Sequence, residues 1–437
     1  MDAARPNIIV IYTDDLGYGD LSCYGSDAIR TPHLDGLAQA GIRFTNWYSN
    51  SPACSPSRAS LLTGRYPQRA GVPNILGGKR GTPGLPASEQ TLATLLKQQG
   101  YATALSGKWH LGVSPECHPL SHGFEHFYGF MAGCVDYFSH IFYWGQAGGV
   151  NPVHDLWRNE EEVWENGRYM TELITSDAVD FIRRSKARPF FSFVSYNAPH
   201  YPMHAPREYM DRFADLPWDR QVMAAMISAV DDGVGQIIRE LKHQGIYDNT
   251  LIFFSSDNGP STEARNWLDG NEDLYYGGSA GIFRGHKGSL FEGGIREPAI
   301  LSWPAGIRGG QVNDEICAMM DIVPTAMEVV GAAMPETGKI DGMSLLSMMR
   351  QGGPGPRDRV YWSYGDQLAV RQGEWKLVLD GKLDFSRKQA DPIHLAQLGE
   401  DPGERVNLCT REAALTAQLK ADVEQWYGDI ERELSSP

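Results

Sequence analysis

The chain has 437 residues, of which 42% are apolar and 21% charged; these ordinary globular values exclude a disordered, collagen-like or coiled-coil chain. Lys and Arg number 39 against 54 Asp and Glu, and the resulting net charge of −15 argues against nucleic-acid or anionic-membrane binding by bulk charge. An anionic substrate must therefore be drawn by a local cationic pocket. Six cysteines, at 23, 54, 117, 134, 317 and 409, show neither CxxC nor zinc spacing, so no disulfide scaffold is expected. No basic stretch followed by an apolar run opens the chain, and no run of ~18 apolar residues occurs. The expectation is a soluble protein that does not enter a membrane. It would be cytoplasmic as written, or periplasmic or secreted if an export signal has been removed.

In chain order, Ile8–Tyr12 reads as a buried strand. Leu92, Leu95 and Leu96 share a helical face that Gly100 ends, and Tyr101–Leu105 is a short strand. Ile174, Ala178, Phe181 and Ile182 mark a helix closed by Pro189, followed by an apolar strand, Phe190–Tyr196. Met223 to Leu241 forms one long amphipathic stripe, Gly245 ends it, and Leu251–Phe254 and Ala299–Ser302 are further strands. Strands alternating with helices predict an α/β fold with a mostly parallel central sheet sandwiched by helices. Beyond the Gly- and Pro-rich stretch Gly352–Pro356, Leu368–Arg371 and Trp375–Leu379 flank a hairpin turn. Asp401–Glu404 is a turn and Arg411–Leu434 a final helix. This divides the chain into a large α/β domain, residues 1–355, and a small C-terminal α+β domain, residues 356–437.

Ligands of such sheets sit beyond the C-terminal strand ends. Asp14-Asp15, Asn197 to His200 and Ser256 to Gly259 follow three strands and are expected to converge on one crevice. Asp14, Asp15, Asp257 and Asn258 offer only oxygen, which suits Ca²⁺ first and Mg²⁺ second, although such residues also serve as ordinary turn formers. Cys54 stands before an apolar helical turn with Arg58 close by, a setting that favours an anion, while a lone cysteine otherwise reads as a buried structural thiol. His118, His122, His126 and His140 lack zinc-ligand spacing and read as loop residues, some of them lining a substrate pocket. The run Glu160–Glu162 reads as a solvated face.

The motif Cys54-Ser55-Pro56-Ser57-Arg58 with Leu61-Leu62-Thr63-Gly64 resembles the signature of type I sulfatases, members of the alkaline phosphatase superfamily. The resemblance extends to Asn7–Val10 with Asp14–Asp20, Gly107–Gly112, Asn197–His200, Ser256–Gly259, and His286–Gly288 with Glu292–Pro298, in family order. It implies an alkaline-phosphatase-like fold and hydrolysis of a sulfate ester. It implies that a formylglycine-generating enzyme, a transient partner, converts Cys54 to formylglycine, whose hydrate attacks sulfur. It further implies Asp14, Asp15, Asp257, Asn258 and the modified Cys54 around Ca²⁺, and Arg58 holding the hydrate.

Lys108, His110, His200 and Lys287 fall inside matched motifs. Lysines suit charge on the sulfuryl oxygens, and histidine suits proton transfer near neutral pH. His200 is the expected leaving-group acid with Lys287 assisting, His110 the base that releases sulfate, and Asp257 an acceptor of the nucleophile's proton. Asp136–His140 with Asp155–Asn159 resembles arylsulfatases and exo-acting N-acetylgalactosamine sulfatases, which tilts the substrate toward a sulfated carbohydrate with an aryl sulfate as surrogate. Asp136, Tyr137, His140, His204, Arg265 and Trp267 stand as unassigned guesses for substrate contact, and Ile141–Trp144 with Trp157 add aromatics suited to sugar stacking or a core. The alternatives are a phosphodiesterase or phosphonate monoester hydrolase of the same superfamily, a non-catalytic sulfoglycan-binding protein, and a plain cysteine hydrolase.

Overall fold

A computed structural model describes residues 5–142, 152–263, 275–335, 338–385 and 389–435. Its first strand, Asn7–Thr13, is buried along its whole length, as a continuous apolar run between two covered faces requires. Alternate side chains of that strand enter different cores. Ile9 and Ile11 pack with the helices Met170–Ser185 and Trp218–His243, whereas Ile8, Val10 and Tyr12 pack with Leu61, Leu62, Leu92 and Leu96 of Cys54–Thr63 and Leu92–Gln98. The period of two along a strand thus builds the helix–sheet–helix sandwich.

The main sheet has ten strands in the order Gln311–Asn313, Ile42–Phe44, Ala299–Ser302, Thr250–Ser256, Asn7–Thr13, Phe190–Ser195, Ala102–Lys108, His126–Phe130, Trp157–Arg158 and Glu161–Glu162. The run from Thr250–Ser256 to His126–Phe130 is parallel throughout. Its flanks depart from the parallel pattern: Ala299–Ser302 and Trp157–Arg158 each pair antiparallel with both neighbours, and Glu161–Glu162 pairs antiparallel with Trp157–Arg158. Glu160 and Glu161 are exposed, as expected of a solvated face; Glu161–Glu162 is also an edge strand, and Glu162 pairs with His154 at 3.0 Å. His126 likewise lies on a strand rather than in a loop, its Nε2 3.0 Å from Asp177 Oδ1. Ile141–Phe142 pairs with Val153–His154, while Tyr143 and Trp144 lie outside the described residues.

The C-terminal part is a four-stranded antiparallel sheet, Arg359–Tyr364, Gln367–Gln372, Trp375–Lys382 and Gln389–Gln397, in that spatial order. One face meets Leu419 and Val423 of the helix Ala413–Ser435. The other face packs Val360, Trp362 and Val378 against Tyr48, Leu290, Phe291 and Ile295, so this sheet is a wall of the same body that carries the strand ends. Among the described residues no helix is long and apolar enough to cross a membrane, and all six cysteines are free.

Candidate active site

The parallel strands bring the polar segments together as expected. Asp14 N bonds Ala198 O at 3.2 Å, and Asp257 N bonds Thr13 O at 3.1 Å. Asp15, in a left-handed conformation at φ 63°, donates its N–H to Asp257 Oδ1 at 3.1 Å and accepts from Asn258 Nδ2 at 2.7 Å. Lys108, the last residue of its strand, places Nζ 2.5 Å from Asp14 Oδ2. Lys287 Nζ lies 2.9 Å from Asp15 Oδ2.

Cys54 is the first residue of the buried helix Cys54–Thr63. No side chain caps that end, so the partial positive charge of the helix N-terminus is available to an anion at residue 54. The helix is fixed from outside by Ser55 Oγ, which accepts from Leu76 N at 3.1 Å, and by Ser57 Oγ, which donates to Ser51 O at 2.8 Å. One turn on, fully buried Arg58 donates to Asp257 Oδ2 at 2.9 Å and to Ser195 Oγ at 2.6 Å. Ser195 Oγ in turn donates to Lys108 O at 2.7 Å, so one hydroxyl joins the helix Cys54–Thr63 to two strand ends.

The electrostatics are those of a dry site. Burial would raise Asp14, but His200, Lys108, Arg58 and Lys287 outweigh it and hold this carboxyl well below its ordinary range. Burial, opposed by Lys287 and reinforced by Asp14, raises Asp15 to about 6; burial and Asp14 raise Asp257 to about 7. Burial pushes the Cys54 thiol up to about 12, which leaves it protonated near neutral pH and unsuited to act as a thiolate.

Two histidines face this cluster with assignable tautomers. His110 Nε2 lies 3.0 Å from Leu76 O; a carbonyl only accepts, so Nε2 carries the proton and Nδ1 is a bare base. Nδ1 is buried without a partner, and burial followed by Lys108 holds the ring neutral. His200 Nδ1 lies 2.7 Å from Tyr201 O, so its proton is on Nδ1 and its Nε2 looks toward Asp15 Oδ2, 3.6 Å away. Burial also holds His200 well below its ordinary value, against the pull of Asp14.

Asp14, Asp15, Cys54 and His200 bring one ligand atom each to within 4.8 Å of one another. Asp14 Oδ1 and Asn258 Oδ1 are buried acceptors with no hydrogen bond. Buried hard oxygens without a hydrogen bond, beside carboxyls that burial and then the Asp14 charge raise, fit a divalent cation of the Ca²⁺ type. The other such group among the described residues, His33, Asp231 and Asp232, is a helix start: Asp231 accepts the His33 and Leu34 N–H groups at 3.1 and 2.8 Å, opening the helix Pro32–Gln39.

Ser195 and Gly133, where an added Cβ would come within 2.7 Å of the His110 ring, border the cluster from outside the motifs, and Tyr137, a guess for substrate contact, supports the His200 loop. Tyr137 Oη donates to Asn197 O and His200 O at 2.8 and 2.9 Å. Asp136 lies 3.3 Å from His204, His140 bonds Arg168 O at 3.1 Å, and Trp157 Nε1 donates to Asp155 at 2.7 Å. Of the remaining histidines, His122 is buried beside the Trp109 ring, and His118 Nδ1 accepts from Leu120 N at 3.2 Å. Arg265 and Trp267 lie outside the described residues.

The family model "Sulfatase" matches residues 6–332, and "N-sulphoglucosamine sulphohydrolase, C-terminal" matches residues 278–428. The chain is 38% identical to N-acetylgalactosamine-6-sulfatase of Mus musculus, over 92% of this chain and 82% of that one. It is 34% identical to human arylsulfatase A over 97% and 87%. The crystal structure of Ps i-CgsB in complex with k-i-k-neocarrahexaose superposes with a TM-score of 0.85 at 32% identity, covering 97% of this chain and 92% of that one. The phosphonate monoester hydrolase of Agrobacterium radiobacter, at 20% identity and a TM-score of 0.65, shares the fold. The strand-end cluster and these relatives lead to the same place: the chain belongs to the sulfatase family, and it is a sulfuric ester hydrolase on an alkaline-phosphatase-like sheet.

Proposed function

We propose that the protein removes sulfate from a sulfated carbohydrate at the crevice that holds residue 54. The observation that carries this reading is one arrangement: residue 54 at an uncapped helix N-terminus, with Arg58, Lys108 and Lys287 each paired to a carboxylate of the same cluster. The relative named for N-acetylgalactosamine 6-sulfate and the oligosaccharide-bound neighbour support a sugar substrate. Residues 1–355 would be the catalytic domain and 356–437 the smaller one that completes it.

Asp14, Asp15, Asp257 and Asn258 would hold Ca²⁺, with residue 54 as a further ligand once a formylglycine-generating enzyme has converted it. Once in place, these two groups would supply an acidified oxygen nucleophile and a Lewis acid. The side chains do the rest. Lys108, Lys287 and Arg58 offset charge on the sulfuryl oxygens in a site that excludes water. Asp257, oriented by Arg58 at 2.9 Å, accepts the proton of the attacking oxygen. His200 and Lys287 face the leaving oxygen. Neutral His200 has no proton on Nε2, so its acid role requires the ring to charge as the anionic ester arrives, while Lys287 is a donor already in place. The bare Nδ1 of His110 takes the proton that frees sulfate.

The deciding experiment combines two measurements on protein from its native source. The mass of the tryptic peptide Phe44–Arg58 reports whether residue 54 is formylglycine. Parallel turnover of an aryl sulfate, a panel of sulfated sugars and a phosphate diester reports the ester. Formylglycine with sulfate release is the expected result. Turnover of the diester alone overturns the sulfatase reading in favour of the phosphodiesterase, and binding of sulfated sugar without turnover overturns it in favour of the binding protein.

A further inference from the structure

Beside the cationic cluster lies a cleft of about 620 Å³ between the Lys287–Gly288 loop and the C-terminal sheet. Its inner wall is tied to the site itself. Gly288 N bonds Pro52 O at 2.8 Å, two residues before Cys54. Asn74, on the same wall, stands two residues before Leu76, whose carbonyl holds His110. The outer wall is carried by the C-terminal sheet and stapled in place by Gln367. That side chain donates to Gly288 O at 2.9 Å and accepts from Leu290 N at 3.3 Å and Lys382 N at 3.0 Å.

On that outer wall Phe385 lies against Gly288. A Cβ at Gly288, itself at φ +90°, would come within 2.8 Å of the ring, so the missing side chain is what admits the aromatic. Tyr364 meets Phe385 edge-on with centroids 6.3 Å apart. Burial raises the Tyr364 phenol, and both Cys54 and Lys287 act on its ionisation, which fits a residue at the mouth of the same crevice. The described lining also holds Asp366, Asp380 and Asp384, whose carboxylates offer several acceptor positions each, and Lys382, paired to Asp366.

An aromatic corner flanked by carboxylates is the complement of a polyol ring, which has apolar C–H faces and hydroxyl donors around its edge. We propose that this cleft seats the neutral sugar ring from which sulfate is removed, with Phe385 and Tyr364 against its C–H face and Asp366 and Asp384 accepting from its hydroxyl groups. The C-terminal sheet is then the specificity wall of the enzyme. This rests on the sulfatase activity proposed above.

The test uses 4-methylumbelliferyl sulfate and the best-turned-over member of a panel of monosulfated hexoses and N-acetylhexosamines. Phe385→Ala is expected to lower the sugar-to-aryl ratio of kcat/KM roughly tenfold, mainly through the sugar's KM, as loss of one stacking contact predicts. Phe385→Trp should keep the ratio, and Asp384→Asn should lower it while leaving the aromatic corner intact, which covers the case in which Phe385→Ala fails to fold. An unchanged ratio in both Phe385→Ala and Asp384→Asn overturns the cleft assignment alone, as does aryl turnover with no sugar accepted. Failure of the wild-type enzyme on every sulfate ester overturns the activity and the cleft together.

Discussion

His110 is held by one hydrogen bond and by one side chain that is not there. Its Nε2–H is taken by Leu76 O at 3.0 Å, and a Cβ on Gly133 would come within 2.7 Å of the imidazole. The backbone at His110 is itself left-handed, at φ 55°, so neither ring nor main chain has room to adjust. If Nδ1 takes the proton that frees sulfate, His110→Ala should lower steady-state turnover by roughly 10²–10⁴-fold, the ordinary span for a lost general base. The first turnover should survive. Stopped-flow assays should show one equivalent of alcohol released in a burst, with inorganic sulfate lagging behind it. Gly133→Ala should give the same signature in weaker form, at a cost of about 1–3 kcal/mol in stability from overpacking. Equal slowing of alcohol and sulfate in His110→Ala would remove His110 from the second half of the reaction. The imidazole itself was legible in the Gly107–Gly112 motif. Its two constraints were not, because Leu76 and Gly133 belong to segments that meet it only through the tertiary fold.

The element that carries His200 is a loop with little regular structure, and Tyr137 is its brace. One buried hydroxyl serves both Asn197 O and His200 O, while its ring stacks on Tyr169 with centroids 5.4 Å apart. Tyr137→Phe keeps the stack and removes the brace, at about 1 kcal/mol of stability. His200→Ala should slow sulfate esters of poor leaving groups far more than activated aryl sulfates, and Tyr137→Phe should show the same inequality on a smaller scale. A Tyr137→Phe enzyme that loses both substrates equally would confine the tyrosine to packing. This element also marks what sequence patterning can deliver. The parallel strands and their crossover helices follow from unbroken apolar runs and 3.6-residue stripes, so the crevice at their C-terminal ends was readable. The antiparallel setting of Ala299–Ser302 was not, because a four-residue apolar strand, AILS, carries no mark of its direction. Glu161–Glu162 pairs at a sheet edge through its backbone, which its charges concealed. Tyr137 read as a guess for substrate contact because a fully buried phenol and an exposed one look alike in a loop sequence.

The whole molecule depends on how the C-terminal sheet is held to the rest of the chain, since that sheet supplies the outer wall of the cleft. At the junction three charged side chains are buried together. Lys376 Nζ lies 2.7 Å from Glu292 Oε1 and 3.2 Å from Glu404 Oε1, and Glu404 Oε2 accepts from Glu292 N at 2.6 Å. One ammonium cannot satisfy two buried carboxylates, and they part company. Burial works against Glu292, but Lys376, Arg296 and Arg371 hold it down at about 2. Burial raises Glu404 to about 7, with Lys376 opposing and the Glu292 charge adding to it. The pH dependence follows in two windows. Glu292 contributes stability that is present above its unfolded value and is lost as pH falls through about 4.5 toward 2. Glu404 keeps a proton in the folded protein that the unfolded chain releases, so its contribution is complete below about 4.5 and is lost as pH rises toward 7. Glu404→Gln, a carboxamide in place of the protonated acid, should therefore flatten the fall in stability between pH 4.5 and 7, a fall on the order of 2–3 kcal/mol. At pH 8 the variant should be the more stable of the two, while at pH 4.5 it should match the wild type. Urea unfolding across that range checks both. An undiminished slope in Glu404→Gln would place the titration elsewhere. A flattened slope together with a gain in sugar-sulfate turnover at pH 8 would mean that the same proton that fastens the sheet also keeps the cleft in shape.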